Sequence, residues 1–245
     1  MPLSYSKFVN ILLEGGNIFD RTELDRTEPI PKKYVNSIVN TLESAIPDVK
    51  LQRNIGSAGF KLVSGDIDLF LDADSVMEKT KTNNEKDARK GLAKFLKDLG
   101  FDTALSGRNV HVKVAYFNDK KEQKWGQVDL MVIKDAERVA PWHQHGPRGL
   151  YKNPEFKGAK VFILLSSIAK YLDLKLDTFS GNLRKRSDDT IVANTRESVA
   201  KILLNPGATD KDLNSTETIL KALQKDPHRE EKLSQYNKEN DDQNL

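Results

Sequence analysis

The run Ser64-Gly65-Asp66-Ile67-Asp68-Leu69-Phe70-Leu71 constrains this chain more than any other stretch of its 245 residues. Residues two apart on a β-strand share a face. A strand here therefore projects Asp66 and Asp68 together, while Ile67, Leu69 and Leu71 enter the opposite face. Two adjacent carboxylates repel unless something positive stands between them. A divalent cation is the simplest such partner, and Mg²⁺ favours one or two carboxylates completed by phosphate oxygens. Just upstream, Asn54-Ile55-Gly56-Ser57-Ala58-Gly59 ends a short apolar run. Gly56 and Gly59 permit close backbone approach, and Ser57 offers a hydroxyl and an N–H to phosphate oxygens. The competing account is an acidic strand end after a tight turn, with both carboxylates solvated. A bare Asp-x-Asp fits that account better. What separates the two is a third carboxylate on a later strand, and Gln127-Val128-Asp129-Leu130-Met131-Val132-Ile133 supplies it in Asp129.

The rest of the chain has the means to build such strands. Its apolar fraction of 38% is enough for a proper core, and its length suits one or two domains. The formal charge of +3 does not by itself demand a nucleic-acid partner. Without cysteine there are no disulfides and no thiolate metal sites, which fits a reducing compartment. The start, Met1-Pro2-Leu3-Ser4-Tyr5-Ser6-Lys7, lacks a basic segment followed by an apolar stretch. No apolar run approaches the roughly 20 residues that span a bilayer. A soluble cytoplasmic protein without a membrane partner is expected, of unspecified oligomeric state.

Residues 4–13 are expected to form a short helix with Phe8, Ile11 and Leu12 on one side, and Asn17 to Pro31 a polar, proline-punctuated arm. Pro31-Lys32-Lys33 opens a helix in which Val35, Ile38, Val39, Leu42 and Ile46 recur at helical spacing, and Pro47 stops it. Val49 to Ile55 reads as the strand that delivers Gly56-Ser57, and Asp66 to Leu71 as the next. Asp74 to Lys97 reads as a charged helical region covering one sheet face through Leu92, Phe95 and Leu96, with Gly100 as its stop. Val110, Val112, Val114 and Tyr116 alternate with His111, Lys113 and Ala115, predicting a strand with one buried face. Asn118-Asp119-Lys120-Lys121 turns the chain. Trp125 to Ile133 returns antiparallel and brings Asp129 back beside Asp66 and Asp68.

Past Ala136 the composition becomes basic, with ten Lys/Arg against five Asp/Glu between Arg138 and Asp189. Trp142-His143-Gln144-His145-Gly146-Pro147 reads as a surface or substrate-facing loop, since two histidines without a third ligand at metal spacing make a poor metal site. Gly158 to Leu174 reads as a core helix burying Phe162, Leu165, Ile168, Ala169 and Leu172. Arg184, Lys185 and Arg186 form the densest basic cluster. It suits either contact with a nucleic-acid backbone or triphosphate, or protection of an exposed strand edge. Ser198 to Leu204 and Ser215 to Leu223 predict two further helices. The tail after Pro227 is almost wholly polar and is expected to fray.

Gly56-Ser57, Asp66-Ile67-Asp68 and Asp129 together resemble the signature of the polymerase-β-like nucleotidyltransferase superfamily: Gly-Gly/Ser, a loop, Asp-h-Asp/Glu, then h-Asp/Glu-h. The phrase Ser64-Gly65-Asp66-Ile67-Asp68-Leu69 is similar to the form in family X polymerases and their small relatives, although Lys61 stands alone where those often carry an arginine pair. The resemblance covers roughly residues 33 to 134. It implies an α+β fold with a nucleotidyltransferase palm of a small mixed sheet and flanking helices; the helical patterns beyond it add the expectation of a mainly helical C-terminal subdomain. The expected divisions are an arm over 1–31, the catalytic core over 32–136, the basic subdomain over 137–225 and the polar tail over 226–245. The implied reaction moves a nucleoside monophosphate from a triphosphate such as ATP to an acceptor hydroxyl and releases pyrophosphate. Asp66, Asp68 and Asp129 would hold two Mg²⁺ ions, with Mn²⁺ as a substitute, and Gly56, Ser57, Lys61 and Ser64 would bind the nucleotide. An RNA or DNA end, contacted by Arg184, Lys185 and Arg186, is the first-choice acceptor; a small molecule or protein side chain is the second. A binding module without turnover is the alternative of another class.

Overall fold

Helix α1 (Lys32–Ala45) forms where Val35, Ile38, Val39 and Leu42 fall on one stripe, and all four are buried. Pro31 opens it at a φ of −62°, which the proline ring adopts without strain. The Ile46 N–H closes it on the Leu42 carbonyl at 3.0 Å. The computed structural model describes residues 18–19, 26–144, 158–224 and 226–241. The described residues divide into two compact units between Ala140 and Pro141. The helix expected over residues 4–13 lies outside them.

After α1 the first unit continues through β1 (Leu51–Ile55), β2 (Asp66–Asp72), α2 (Ala73–Thr80), α3 (Glu85–Asp98), β3 (Asp102–Ser106), β4 (Asn109–Phe117) and β5 (Gln123–Ile133). The five strands form one mixed sheet in the order β1-β2-β5-β4-β3. Only β2 and β5 run parallel; the other neighbours are antiparallel. A parallel pair needs a crossover, which α2, α3 and the β3–β4 hairpin supply. Ile67, Leu69 and Leu71 of β2 share a face with Val128, Leu130 and Val132 of β5 and Val110, Val112 and Val114 of β4. This face joins α1 and α3 in one core, through Ile38 and Leu42 on the first helix and Leu92 and Leu96 on the second. Full burial of each such side chain stabilises by about 1.5–3 kcal/mol. Gly126 on β5 matters here, because a Cβ would lie 2.8 Å from Ile30 Cδ1 and 3.3 Å from Ile38 Cδ1.

Four local expectations change. The charged region is two helices, not one. Asp72 caps α2 by accepting the Ser75 N–H at 3.0 Å, left-handed Lys81 ends it, and Asn84 caps α3 by accepting the Asp87 N–H at 3.0 Å. Strand β3 was not anticipated. On β4 both faces are buried, with His111 and Lys113 only 6% and 5% exposed. Residues 142–143 belong to a helix, α4 (Ala136–His143), rather than to a loop.

The second unit contains α5 (Gly158–Tyr171), the strands β6 (Leu174–Leu176), β7 (Leu183–Lys185) and β8 (Ile191–Ala193), then α6 (Arg196–Leu203), α7 (Thr216–Leu223) and α8 (Arg229–Asp241). The strands form an antiparallel sheet with β7 in the middle. Val161, Leu164, Leu165, Ile168 and Ala169 of α5 pack into a core with Val199, Leu203, Ile219 and Leu223. Phe162 and Leu172, expected to be fully buried, are only partly so. Thr195 and Ser215 open α6 and α7 through capping boxes. Residues 242–245 of the tail lie outside the described residues, and Arg229–Asp241 form α8 where fraying was expected. Its Leu233 is buried, and its Lys232 ammonium donates to the Leu203 carbonyl at 2.8 Å and to Asp226 Oδ2 at 2.7 Å. Two anchoring side chains in a polar segment suffice to dock it, and composition alone does not reveal them. Among the described residues, no helix is long and apolar enough to cross a membrane.

Candidate metal centre

Alternation along β2 and β5 places three carboxylates on the sheet face opposite the helices α1 and α3. The parallel register sets Asp68 beside Asp129 and Asp66 beside Gln127. The antiparallel register of β4 and β5 then sets His111 beside Asp129 and Lys113 beside Gln127. Two rows result, Asp68-Asp129-His111 and Asp66-Gln127-Lys113. One oxygen from each of Asp66, Asp68 and Asp129 lies within 4.8 Å of the others. The three residues read from the sequence as a constellation are thus brought together.

Gathering these charges has an electrostatic cost. Burial, followed by the charge of Asp129, pushes the Asp66 carboxyl up to about 6, while its own backbone N–H, His111 and Lys61 pull the other way. Burial, followed by the charges of Asp66 and Asp129, holds the Asp68 carboxyl well above the usual range. In both, burial and like charge outweigh whatever positive charge is near. An all-oxygen donor set in partly dry surroundings suits a hard divalent cation, which would add positive charge. The cluster can hold a metal ion.

The loop after β1 presses directly on this cluster. Gly56 adopts φ +66°, and a Cβ on it would collide with Asp68 Oδ2 and come within 3.3 Å of Asp68 Cγ. The Ser57 carbonyl accepts the N–H groups of Phe60 and Lys61, each at 3.2 Å, folding the loop back on itself. Lys61 is exposed and its charge reaches Asp66. Ser64 is placed differently from the other three expected nucleotide-binding residues. It pairs with Ile30, is 4% exposed, and its buried hydroxyl has no hydrogen-bond partner among the described residues.

Two residues of the site were not anticipated. His111 Nδ1 lies 2.7 Å from Asp129 Oδ1, and Gln127 Nε2 donates to the same oxygen at 2.9 Å. Gln127 is 1% exposed. The signal was present in the hairpin: the turn after Phe117 fixes a register in which His111 faces Asp129.

The basic cluster lies in the second unit. It is not on an edge, since β7 is flanked by β6 and β8. Arg184 donates to the Asp189 carbonyl at 3.1 Å, and Arg186 Nε to the Leu174 carbonyl at 2.9 Å. Lys185 is exposed beside Asp188. His143 is no surface residue: it donates Nε2–H to the Phe179 carbonyl at 2.9 Å and packs against the rings of Phe162 and Phe179. Burial lowers its pKa, as expected for an imidazole held among aromatic rings. His145 lies outside the described residues. Among the described residues, Asp66, Asp68 and Asp129 form the one group suited to a metal ion. No protein-family model matches the chain, and no curated protein matches it.

Proposed function

We propose that this protein is a Mg²⁺-dependent nucleotidyltransferase that moves a nucleoside monophosphate from a nucleoside triphosphate to an acceptor hydroxyl. The observation that carries this reading is the convergence of Asp66, Asp68 and Asp129 on neighbouring parallel strands, with the Gly56 backbone pressed against Asp68. A structural cation site would account for the carboxylates alone. The glycine-bearing loop, pressed against Asp68 at Gly56, would add backbone N–H and the Ser57 hydroxyl for a triphosphate.

Asp66 and Asp68 would hold both ions, and Asp129 the one beside the acceptor. Bound Mg²⁺ supplies acidity to the attacking hydroxyl and charge neutralisation to the leaving pyrophosphate. A bond forms between the acceptor oxygen and the α-phosphorus, the bond from that phosphorus to pyrophosphate breaks, and the hydroxyl proton passes to solvent. Gly56, Ser57 and Lys61 orient the triphosphate, and no side chain forms a covalent intermediate. The acceptor in this reading is an RNA or DNA end, supported by the ten Lys/Arg against five Asp/Glu between Arg138 and Asp189. Incubation with each α-labelled triphosphate, Mg²⁺ and separate RNA, DNA, protein and small-molecule fractions tests it. Label in the nucleic-acid fraction supports the full reading, label elsewhere changes the acceptor, and triphosphate binding without label transfer makes the protein a binding module.

A further inference from the structure

We propose that His111 and Gln127 are positioning residues that lock the Asp129 carboxylate, so that it meets the cation through Oδ2 alone. This rests on the metal-dependent reading above. Both side chains approach the same oxygen, Oδ1, at 2.7 Å and 2.9 Å. An ionised carboxylate only accepts, which puts a proton on His111 Nδ1 and turns the Gln127 amide nitrogen inward. The other end of Gln127 agrees with that orientation: Oε1 accepts the Ile18 N–H at 2.9 Å, which an amide nitrogen could not do.

His111 bears a cost for this arrangement. Its Nε2 is buried with no hydrogen-bond partner among the described residues, and the residue is 6% exposed. An unsatisfied buried polar atom destabilises the fold that carries it. A phenylalanine or leucine would fill a buried strand position without it, so packing does not account for the imidazole. What the imidazole adds is the bond to Asp129. Neither Asp66 nor Asp68 receives a side-chain donor of this kind among the described residues. The cluster is therefore asymmetric: two side-chain donors hold one oxygen of Asp129, and none of this kind holds Asp66 or Asp68 among the described residues. Rotating Asp129 to present Oδ1 would break two hydrogen bonds at once.

Binding of Mn²⁺ to the full chain, followed by loss of the free-ion electron paramagnetic resonance signal, tests this without turnover. His111→Phe and Gln127→Leu each remove one donor, and the dissociation constant should rise about tenfold or more. His111→Asn returns an N–H near the Nδ1 position and should recover most of that loss. Asp68→Asn serves as the ligand control and should bind weakly or not at all. Thermal melts of the metal-free variants establish that each is folded; if His111→Phe is not, Gln127→Leu and His111→Asn decide. Wild-type affinity in both donor-deleted variants, with binding lost in Asp68→Asn, would overturn the positioning role and leave the metal-dependent reading intact. An equal loss in His111→Asn and His111→Phe would make His111 a packing residue. Absence of Mn²⁺ binding by the wild type would overturn both inferences together.

Discussion

Asp68 and Asp129 are register partners on parallel strands, and the neighbouring antiparallel strand completes the row with His111. One backbone geometry thus presents two carboxylates and the imidazole that holds one of them. The opposite face of the same strands forms the apolar core of the unit. The carboxylates and the imidazole are therefore positioned by rigid sheet, and each of these side chains is open to a direct test.

Asp68→Asn should lower the transfer rate by about three orders of magnitude, roughly 4 kcal/mol of transition-state stabilisation. The same change removes a buried charge that Asp66 and Asp129 repel. Metal-free thermal stability should therefore hold or rise while Mg²⁺-induced stabilisation disappears. Near-wild-type transfer by this variant would remove Asp68 from the metal site.

Asp66 supplies a pH dependence of known sign. Its folded value of about 6 lies above the ordinary 3.8. Its contribution to stability is therefore fully present below pH 3.8 and is lost as pH rises through about 6. Measured as wild type minus Asp66→Asn in metal-free buffer, stability should fall across that window. Protons and cation compete for the carboxylate, so Mg²⁺ should raise the melting temperature more at pH 7.5 than at pH 5. A wild-type-minus-variant difference that is flat with pH would refute the assignment.

Much of the site was legible because strand alternation and carboxylate repulsion are strictly local rules, and both act on Asp66-Ile67-Asp68. Asp129 required one further step, the hairpin return, which the turn at Asn118–Lys121 also signals. His111 was missed because alternation with Val110 and Val112 reads as a half-solvated strand, whereas both faces of β4 are buried. Strand β3 was missed because Asp102-Thr103-Ala104-Leu105-Ser106 is a polar edge with no exclusive apolar stripe. The break between α2 and α3 was written in Asn84, an N-cap residue hidden inside a charged run. Helix α8 depends on Lys232 and Leu233 meeting distant partners, which no local pattern encodes.

Gly56→Val should act through Asp68 as well as through phosphate approach. The left-handed backbone at φ +66° costs a non-glycine residue about 1–2 kcal/mol, and the new side chain displaces the Asp68 carboxylate. Affinity for a non-hydrolysable triphosphate in Mg²⁺ should fall, and so should Mn²⁺ affinity without nucleotide. Unchanged affinity for both ligands would detach the loop from the site.

The three basic residues on and after β7 should separate by role. Arg184 is tied to the Asp189 carbonyl in the β7–β8 connection and Arg186 to the Leu174 carbonyl of β6, so replacing either by Ala should destabilise the second unit. Lys185 is exposed. If a nucleic-acid strand is the acceptor, Lys185→Ala should flatten the slope of log K against log salt by about 0.7 at unchanged stability. An unchanged slope would remove Lys185 from the interface. No salt-dependent binding of RNA or DNA by the wild type would remove nucleic acid as the acceptor.

The central claim is nucleotidyl transfer at the Asp66, Asp68 and Asp129 centre. Its most direct measurement is the fate of an α-labelled triphosphate, with wild type and Asp68→Asn assayed in parallel in Mg²⁺ over the separated acceptor fractions. The account predicts label joined to an acceptor, an equal amount of pyrophosphate released, and loss of both with chelator and in Asp68→Asn. Wild-type protein that binds metal and triphosphate yet releases no pyrophosphate and labels no fraction would contradict it.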